Sequence, residues 1–261
     1  IEVVPDILMN LADANNRLGK LDIGAAWYRR ALLMCDSLHM ASTKKPPIYY
    51  GLAQVYVTMR DFEQCDYYYN LAGESYDNML PYEKYIYLNN RGTSYYYRED
   101  YQTAIKYFQK VIDLVEGYDD MSFELNLGRL NLGDCYLQLN MVDLAVKYIN
   151  ECQLFFEEMG VSTALYYIDT QKIELALLQK DFQEARRLLS ESVVPPGIDP
   201  DMVHIRNKYL QQFYEETGNY KRAYHYLQRN NLLDDSIRNE RVRMRTADLT
   251  LRYQQDSTLM A

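Results

Sequence analysis

The sequence predicts an all-α protein, a solenoid of about six helical hairpins followed by a long C-terminal helix. Three observations carry this prediction: a repeat period of about forty residues, a small residue at one fixed slot of each repeat, and turn-forming residues between paired helical segments. The slots are spaced 41, 39, 41, 40 and 38 residues apart and hold Gly24, Cys65, Ala104, Ala145, Ala185 and Ala223.

Each repeat is expected to form two helices around a tight turn. Proline favours the first turn of a helix, so first helices should begin near Pro5, Pro46 and Pro81. Turn residues should end each first helix and cap the second, at Gly19, Asp61, Asp100, Asp181 and Gly218-Asn219. The small slot residues let the paired helices approach closely. The segment 193–200 should be a loop between the fifth and sixth repeats.

The predicted boundaries are a repeat array over residues 1–233 and a C-terminal helix over residues 234–261. The C-terminal segment contains no further tight turn or small-residue slot. Its arginines share one helical stripe with apolar residues on both sides, which predicts docking through Arg238, Arg241, Arg245 and Arg252. The acidic repeat array of the same chain and a dimer mate are both candidate surfaces, and a solvated helix is the alternative.

Charge and composition exclude several classes of function. The chain has 261 residues and a formal net charge of −9. Nucleic-acid phosphates are bound by basic surfaces, so we expect no direct nucleic-acid contact. No apolar run approaches the roughly 18 residues that would span a membrane. The sequence starts IEVVPDIL and stops within a helical pattern at TLMA, so we expect a fragment whose parent supplies any membrane contact.

Residues capable of catalysis or metal binding form no recognisable pattern. The histidines His39, His204 and His225 lack metal-binding spacing. The cysteines lie in apolar helical segments and are expected to be buried thiols, at Cys35, Cys65, Cys135 and Cys152. No glycine-rich phosphate loop or GxSxG motif occurs. We therefore expect no enzyme activity, no cofactor and no metal site.

Tyrosine is the outlier of the composition, with 27 residues. Most tyrosines are assigned to packing, since Tyr56, Tyr95 and Tyr136 occupy the same internal slot of successive repeats. In the stretch RGTSYYYRED, only Tyr96 and Tyr97 remain as candidates for recognition.

The repeat pattern resembles the tetratricopeptide repeat family. The resemblance is carried by small, aromatic and turn residues at matching places, in the third repeat by Gly92, Tyr95, Asp100, Tyr101, Ala104 and Phe108. Repeats of that family have 34 residues, so the longer units here imply extended second helices. The resemblance implies a right-handed superhelix whose concave groove, lined by first helices, binds a protein or peptide.

Transferring the geometry of that family places eight aromatic, amide and polar residues in the groove: Tyr50, Gln54, Asn89, Thr93, Tyr96, Tyr97, Asp134 and Gln138. Tyrosine and asparagine suit peptide recognition because they combine rigid contact area with hydrogen-bonding groups. Some members of that family clamp a terminal carboxylate with several basic residues in the groove. We expect no such clamp here, because the one basic residue at a groove position is Lys208, in the last repeat.

The arrangement of repeats followed by LLDDSI and ADLTLRYQQD resembles the sensory region of bacterial membrane-anchored proteins. These are transcriptional regulators with a LuxR-type helix-turn-helix or sensor histidine kinases. The resemblance implies an input domain for signal transduction in the periplasmic part of an inner-membrane protein, with the cytoplasm as the alternative. A soluble scaffold for complex assembly, without signalling output, is the alternative function.

Overall fold

The computed structural model describes residues 3–40, 44–191, 193–198 and 200–259, and these form helices, turns and loops without a strand. The α-helices of this part are α1 (Val4–Arg17), α2 (Leu21–Ser37), α3 (Pro46–Met59), α4 (Phe62–Gly73), α5 (Pro81–Tyr96), α6 (Tyr101–Val115), α7 (Ser122–Gln138), α8 (Val142–Met159), α9 (Ser162–Leu178), α10 (Phe182–Glu191), α11 (Pro200–Glu216) and α12 (Tyr220–Leu259).

Consecutive helices form hairpins, which confirms the predicted fold class. Helix α1 packs on α2, α3 on α4, α7 on α8, and α9 on α10. The helices α3 and α5 begin at or beside the predicted prolines, Pro46 and Pro81. Pro5 likewise lies in the first turn of α1. Residues 193–198 form the predicted loop, and Asp199 lies outside the described residues.

The chain divides into two compact units. The first unit contains the described residues within 1–100 and 238–261, and the second contains residues within 101–237. Helices α1 to α5 therefore belong to the first unit together with the last part of α12. We call that part, residues 238–259, the tail segment.

Turn residues cap the second helices as the sequence predicts. The Asp61 carboxylate accepts a hydrogen bond from the Gln64 amide at 3.2 Å. The Asp181 carboxylate accepts a hydrogen bond from the Glu184 amide at 3.0 Å. The Asn219 side-chain oxygen accepts one from the backbone amide three residues later, at 3.3 Å. Each bond satisfies an amide at a helix start that has no partner within the helix.

The small residues of the fixed slot lie where the paired helices approach. All six are buried, and Cys65, Ala104, Ala145 and Ala185 have no exposed surface. At Gly24, a Cβ atom would lie 1.9 Å from the Asn16 side-chain oxygen of α1. The period read from the sequence therefore identifies buried positions, and at Gly24 it identifies a close approach between α1 and α2.

Helix α12 runs through the predicted boundary between residues 233 and 234. The second helix of the sixth hairpin and the C-terminal segment form one continuous helix of 40 residues. No proline or glycine occurs between residues 220 and 259, so nothing in the local sequence ends the helix after its sixth-repeat part.

Candidate functional site

The predicted groove residue Tyr50 lines a cavity in the first unit. The cavity has a volume of about 390 Å³ and lies at the starts of α1, α3 and α5, with Asp6, Met9, Pro46, Pro47, Tyr50, Met79 and Glu83 among its lining residues. Burial raises the pKa of Tyr50 to about 12, with a further contribution from the Glu83 carboxylate. The hydroxyl therefore stays protonated and can donate a hydrogen bond.

Other predicted groove residues of the first unit lie on α3 and α5. The Thr93 hydroxyl donates to the Asn89 carbonyl at 3.0 Å, and Gln54 is partly buried on α3. The half-buried rings of Tyr96 and Tyr97 meet edge to face with centroids 5.9 Å apart. The Arg60 guanidinium lies 4.2 Å from the Tyr97 ring centre. A cation over a tyrosine ring makes a rigid, amphipathic contact surface.

In the second unit, the predicted groove residue Gln138 belongs to a polar cluster. Its amide donates to both oxygens of Glu174, at 3.1 and 3.3 Å. Burial raises the pKa of Glu174, although hydrogen bonds from Tyr209 and Gln138 oppose this shift. The negative charge of Asp134 also helps to raise the pKa of Tyr209. Gln138, Glu174 and Tyr209 come from α7, α9 and α11, which are all first helices of their hairpins.

The cluster includes a residue that sequence reasoning missed. Tyr209 was not placed in the groove, although its position on a first helix could have indicated it. Arg206, one turn earlier, is buried and donates to the Thr170 hydroxyl at 3.0 Å. Burial lowers the pKa of Arg206. The second unit therefore holds a buried cation in addition to Lys208, which is exposed.

The tail segment packs against the first two hairpins of the first unit. The Asp248 carboxylate accepts from Arg29 at 2.6 Å and from the Tyr56 hydroxyl at 2.9 Å. Arg252 donates to the Tyr56 hydroxyl at 2.8 Å and lies 2.9 Å from Asp248. We call these four residues the Asp248 cluster. Burial raises the pKa of Tyr56, which is fully buried.

The four arginines predicted to dock are placed differently from one another. Arg241 donates to the Thr58 carbonyl at 3.0 Å, and Arg252 belongs to the Asp248 cluster. Arg238 and Arg245 are exposed. The sequence predicts arginines of the tail against acidic repeats, and the charges at this contact differ from that prediction. The tail segment supplies a buried carboxylate, Asp248, and the repeats supply a cation, Arg29. The sequence analysis did not predict a role for Asp248, because the arginine stripe indicates only the basic residues of this helix.

The cysteines are buried, free thiols, as predicted. Burial raises the pKa of Cys65 to about 11 and that of Cys152 to about 12. Within the described ranges, no group of three His, Cys, Asp or Glu side chains is arranged to hold a metal ion. In the same part of the chain, no helix is both long enough and apolar enough to cross a bilayer.

Comparison with known sequences identifies the repeats. Models of the tetratricopeptide repeat match residues 85–118 and residues 128–154. The chain therefore contains tetratricopeptide repeats in these two segments. These matches cover parts of α5 and α6 and parts of α7 and α8, where the repeat pattern read from the sequence is clearest.

One curated relative and two solved structures are also similar to this chain. The chain is 26% identical over 163 residues to anaphase-promoting complex subunit CDC16 of Saccharomyces cerevisiae, across 61% of this chain and 18% of that protein. The fold resembles BtubC of P. vanneervenii, with a TM-score of 0.57, 13% identity and coverage of 89% and 92%. It also resembles PilF of Pseudomonas aeruginosa, with a TM-score of 0.56, 17% identity and coverage of 88% and 92%.

Proposed function

We propose that this chain binds a protein or peptide through the first helices of its repeats, without enzyme activity. Tetratricopeptide repeats are protein-interaction modules, and this proposal places the interaction on particular residues. The observation that carries it is the half-buried Tyr96–Tyr97 pair beside Arg60. Such rings offer large contact area at low cost in conformational entropy.

The polar cluster of the second unit supports the same proposal. Gln138 and Glu174 present amide and carboxylate groups from neighbouring first helices. Peptide backbones and side chains need such donors and acceptors beside apolar contact area. The cavity at Tyr50 adds a recess with both apolar and charged lining. These sites lie in different units, and each is proposed as a separate contact region.

We infer that the module is the input domain of a larger bacterial regulator or signalling protein. The support is the resemblance of the arrangement of repeats and C-terminal helix to the sensory regions of such proteins, which also favours a periplasmic location. The rival is a soluble scaffold, favoured by the similarity to CDC16, whose name makes it a subunit of a complex. If the parent gene encodes a membrane helix of about 20 residues and an output domain, the sensor is supported. If the gene encodes neither, the scaffold is supported.

Selection of phage-displayed peptides on the purified chain tests the recognition residues. Peptides that bind are labelled, and their affinity is measured by fluorescence anisotropy for the wild type and for the triple variant N89A, Y96A and Y97A. We expect the triple variant to lose at least about tenfold in affinity, since buried aromatic contacts dominate such interfaces. Tyr220→Ala is the matched control, because Tyr220 is 72% exposed on a second helix.

The control variant should bind the same peptides as the wild type does. Equal affinity of the triple variant for every selected peptide would show that the Tyr96–Tyr97 region is not the recognition surface. Sedimentation velocity of the wild type tests the further proposal of a homodimer through the C-terminal helix, and a monomer at all concentrations would exclude it.

A further inference from the structure

Helix α1, the first helix of the first repeat, has an exposed apolar stripe. Val3, Ile7 and Leu11 are 62%, 52% and 40% exposed, and Ala14 is exposed as well. At about 100° of turn per residue, these four positions fall on one side of the helix, and none of them carries a charge. We call these four residues the α1 stripe.

The repeat register shows what the same positions do in later repeats. Steps of 41, 39, 41, 40 and 38 residues lead from a position in α1 to its equivalents in the later first helices. The equivalents of Ile7 are all buried, and they are Ile48, Tyr87, Gly128, Ile168 and Arg206. Four equivalents of Ala14 are buried too, namely Val55, Ser94, Cys135 and Phe213. These slots are therefore interior in the later repeats and exposed in α1.

The second helix of the preceding repeat covers these slots where they are buried. Helix α2 packs on α3, α4 on α5, α6 on α7 and α8 on α9. The Tyr69 ring of α4 meets the Tyr87 ring edge to face, with centroids 6.1 Å apart. A Cβ atom at Gly128 would lie 3.2 and 3.4 Å from side-chain carbons of Val111 and Ile112 of α6. The side chains that fill this slot are thus aromatic or aliphatic and come from a second helix.

The α1 stripe continues this stacking surface rather than ending it. The outer face of a terminal repeat is polar where a repeat array ends in water, whereas the α1 stripe is apolar and uncharged. The geometry inside the chain therefore specifies the kind of element that fits on α1. That element is a helix with an apolar face, packed as α4 packs on α5.

A second copy of the chain is the poorer cover for the α1 stripe. Its last second helix is the first part of α12, where the register places Asn230 and Asn231 at the positions of Val111 and Ile112. The Asn230 amide already donates to the His204 carbonyl at 3.0 Å. An amide pressed against Ile7 would lose its hydrogen bonds with water.

We propose that the α1 stripe binds an amphipathic helix of a partner protein, with aliphatic and aromatic residues at the spacing of a second helix. An apolar side chain of that helix covers Ile7, as Tyr69 covers Tyr87. Because the stripe is uncharged, burial of apolar area drives the association, and salt affects it little. This surface is separate from the groove of the proposed function, since the slots of Tyr50 and Gln54 fall at Met9 and Asp13 in α1.

The chain itself supplies the probe. A fluorescent peptide with the sequence of residues 101–116 contains α6, and a hydrocarbon link between the exposed positions 102 and 106 holds it helical, since isolated helices of this length are marginal. Its binding to the full chain is measured by fluorescence anisotropy. We expect saturable binding, and an affinity at least about tenfold lower for the peptide with V111S and I112S.

Protein variants locate the binding surface. I7D combined with L11D should weaken binding at least about tenfold. I23D combined with L33D is the matched control, because Ile23 and Leu33 are 43% and 54% exposed on α2, and it should bind the peptide as the wild type does. The triple variant N89A, Y96A and Y97A should also bind it normally, which separates this site from the groove. Circular dichroism checks that each variant is folded.

Three results overturn the proposal. One is equal affinity of the wild type and the variant with I7D and L11D, or no saturation up to about 1 mM peptide. Another is loss of binding in the α2 control or in the groove variant, which would place the peptide elsewhere. The third is a wild-type dimer in sedimentation velocity that I7D and L11D convert to a monomer, which would assign the α1 stripe to a second copy.

Discussion

Replacing Asp248 by alanine tests whether the Asp248 cluster holds the tail segment on the repeats. The side chains of Asp248 and Arg29 are 6% and 10% exposed and lie 2.6 Å apart. The substitution leaves Arg29 buried without its carboxylate and removes the acceptor of the Tyr56 hydroxyl. Losing one partner of a buried ion pair costs about 3–5 kcal/mol. Because Met244 still packs against the repeats, we expect a loss near the lower end, about 3 kcal/mol.

Urea unfolding followed by Trp27 emission measures this loss in the first unit. With a denaturant slope of about 1–3 kcal/mol/M, the midpoint should fall by roughly 1–3 M. Glu240→Ala is the matched control on the same helix, since the Glu240–Arg243 pair has side chains 45% and 63% exposed. Its loss should stay below about 0.5 kcal/mol.

A double-mutant cycle with Arg29→Ala completes the test of the Asp248 cluster. Because the two groups are in contact, the double variant should lose about 2 kcal/mol less than the sum of the single losses. Additive losses, or an Asp248→Ala variant as stable as Glu240→Ala, would refute the reasoning.

Three further outcomes follow from packing and titration. Gly51→Ala should destabilise the first unit by about 1–3 kcal/mol, since a Cβ atom would lie 2.5 Å from the buried Tyr28 ring. The control Gly117→Ala, with open space around it, should have a stability within about 0.5 kcal/mol of wild type. Equal unfolding midpoints for the two variants would contradict this prediction. Burial raises the pKa of Glu174 above 4.5, so its contribution to stability is present at low pH and is lost as pH rises through the folded-state pKa. Unfolding measured from pH 4 to 8 should therefore show Glu174→Gln gaining stability relative to wild type as pH rises, and parallel curves would exclude this effect. The four buried cysteines should react with a thiol reagent at least about a hundredfold faster in denaturant than in buffer, and fast labelling of the native chain would contradict their burial.

The helical hairpins and their register could be predicted from sequence because backbone constraints fix them. Paired helices need a small residue where they approach, and Ala104 and Ala145 meet this need at one fixed period. Turn residues such as Asp61 act through a hydrogen bond three residues away. Both signals are local or periodic, so a single sequence contains them.

The contacts of the tail segment could not be derived in the same way. Arg29 and Asp248 are separated by 219 positions, and no periodic pattern connects them. The arginine stripe predicts a docked helix, whereas the charged residue that is buried on this helix is Asp248. The predicted boundary between residues 233 and 234 marks the end of the repeat pattern, and it lies inside helix α12. The binding roles of Tyr96 and Tyr97 stay predictions.

The ion pair between Arg29 and Asp248 has a consequence for the order in which the protein matures. Hairpin arrays can ordinarily fold as they leave the ribosome, since each repeat needs only its neighbours. Here the first hairpin is translated more than two hundred residues before the carboxylate that neutralises its arginine. A nascent chain halted in the fifth repeat would therefore display the uncovered Arg29 and Tyr56 to chaperones and proteases. The charge of the first hairpin is thus balanced only after the tail segment has been synthesised and has docked on it.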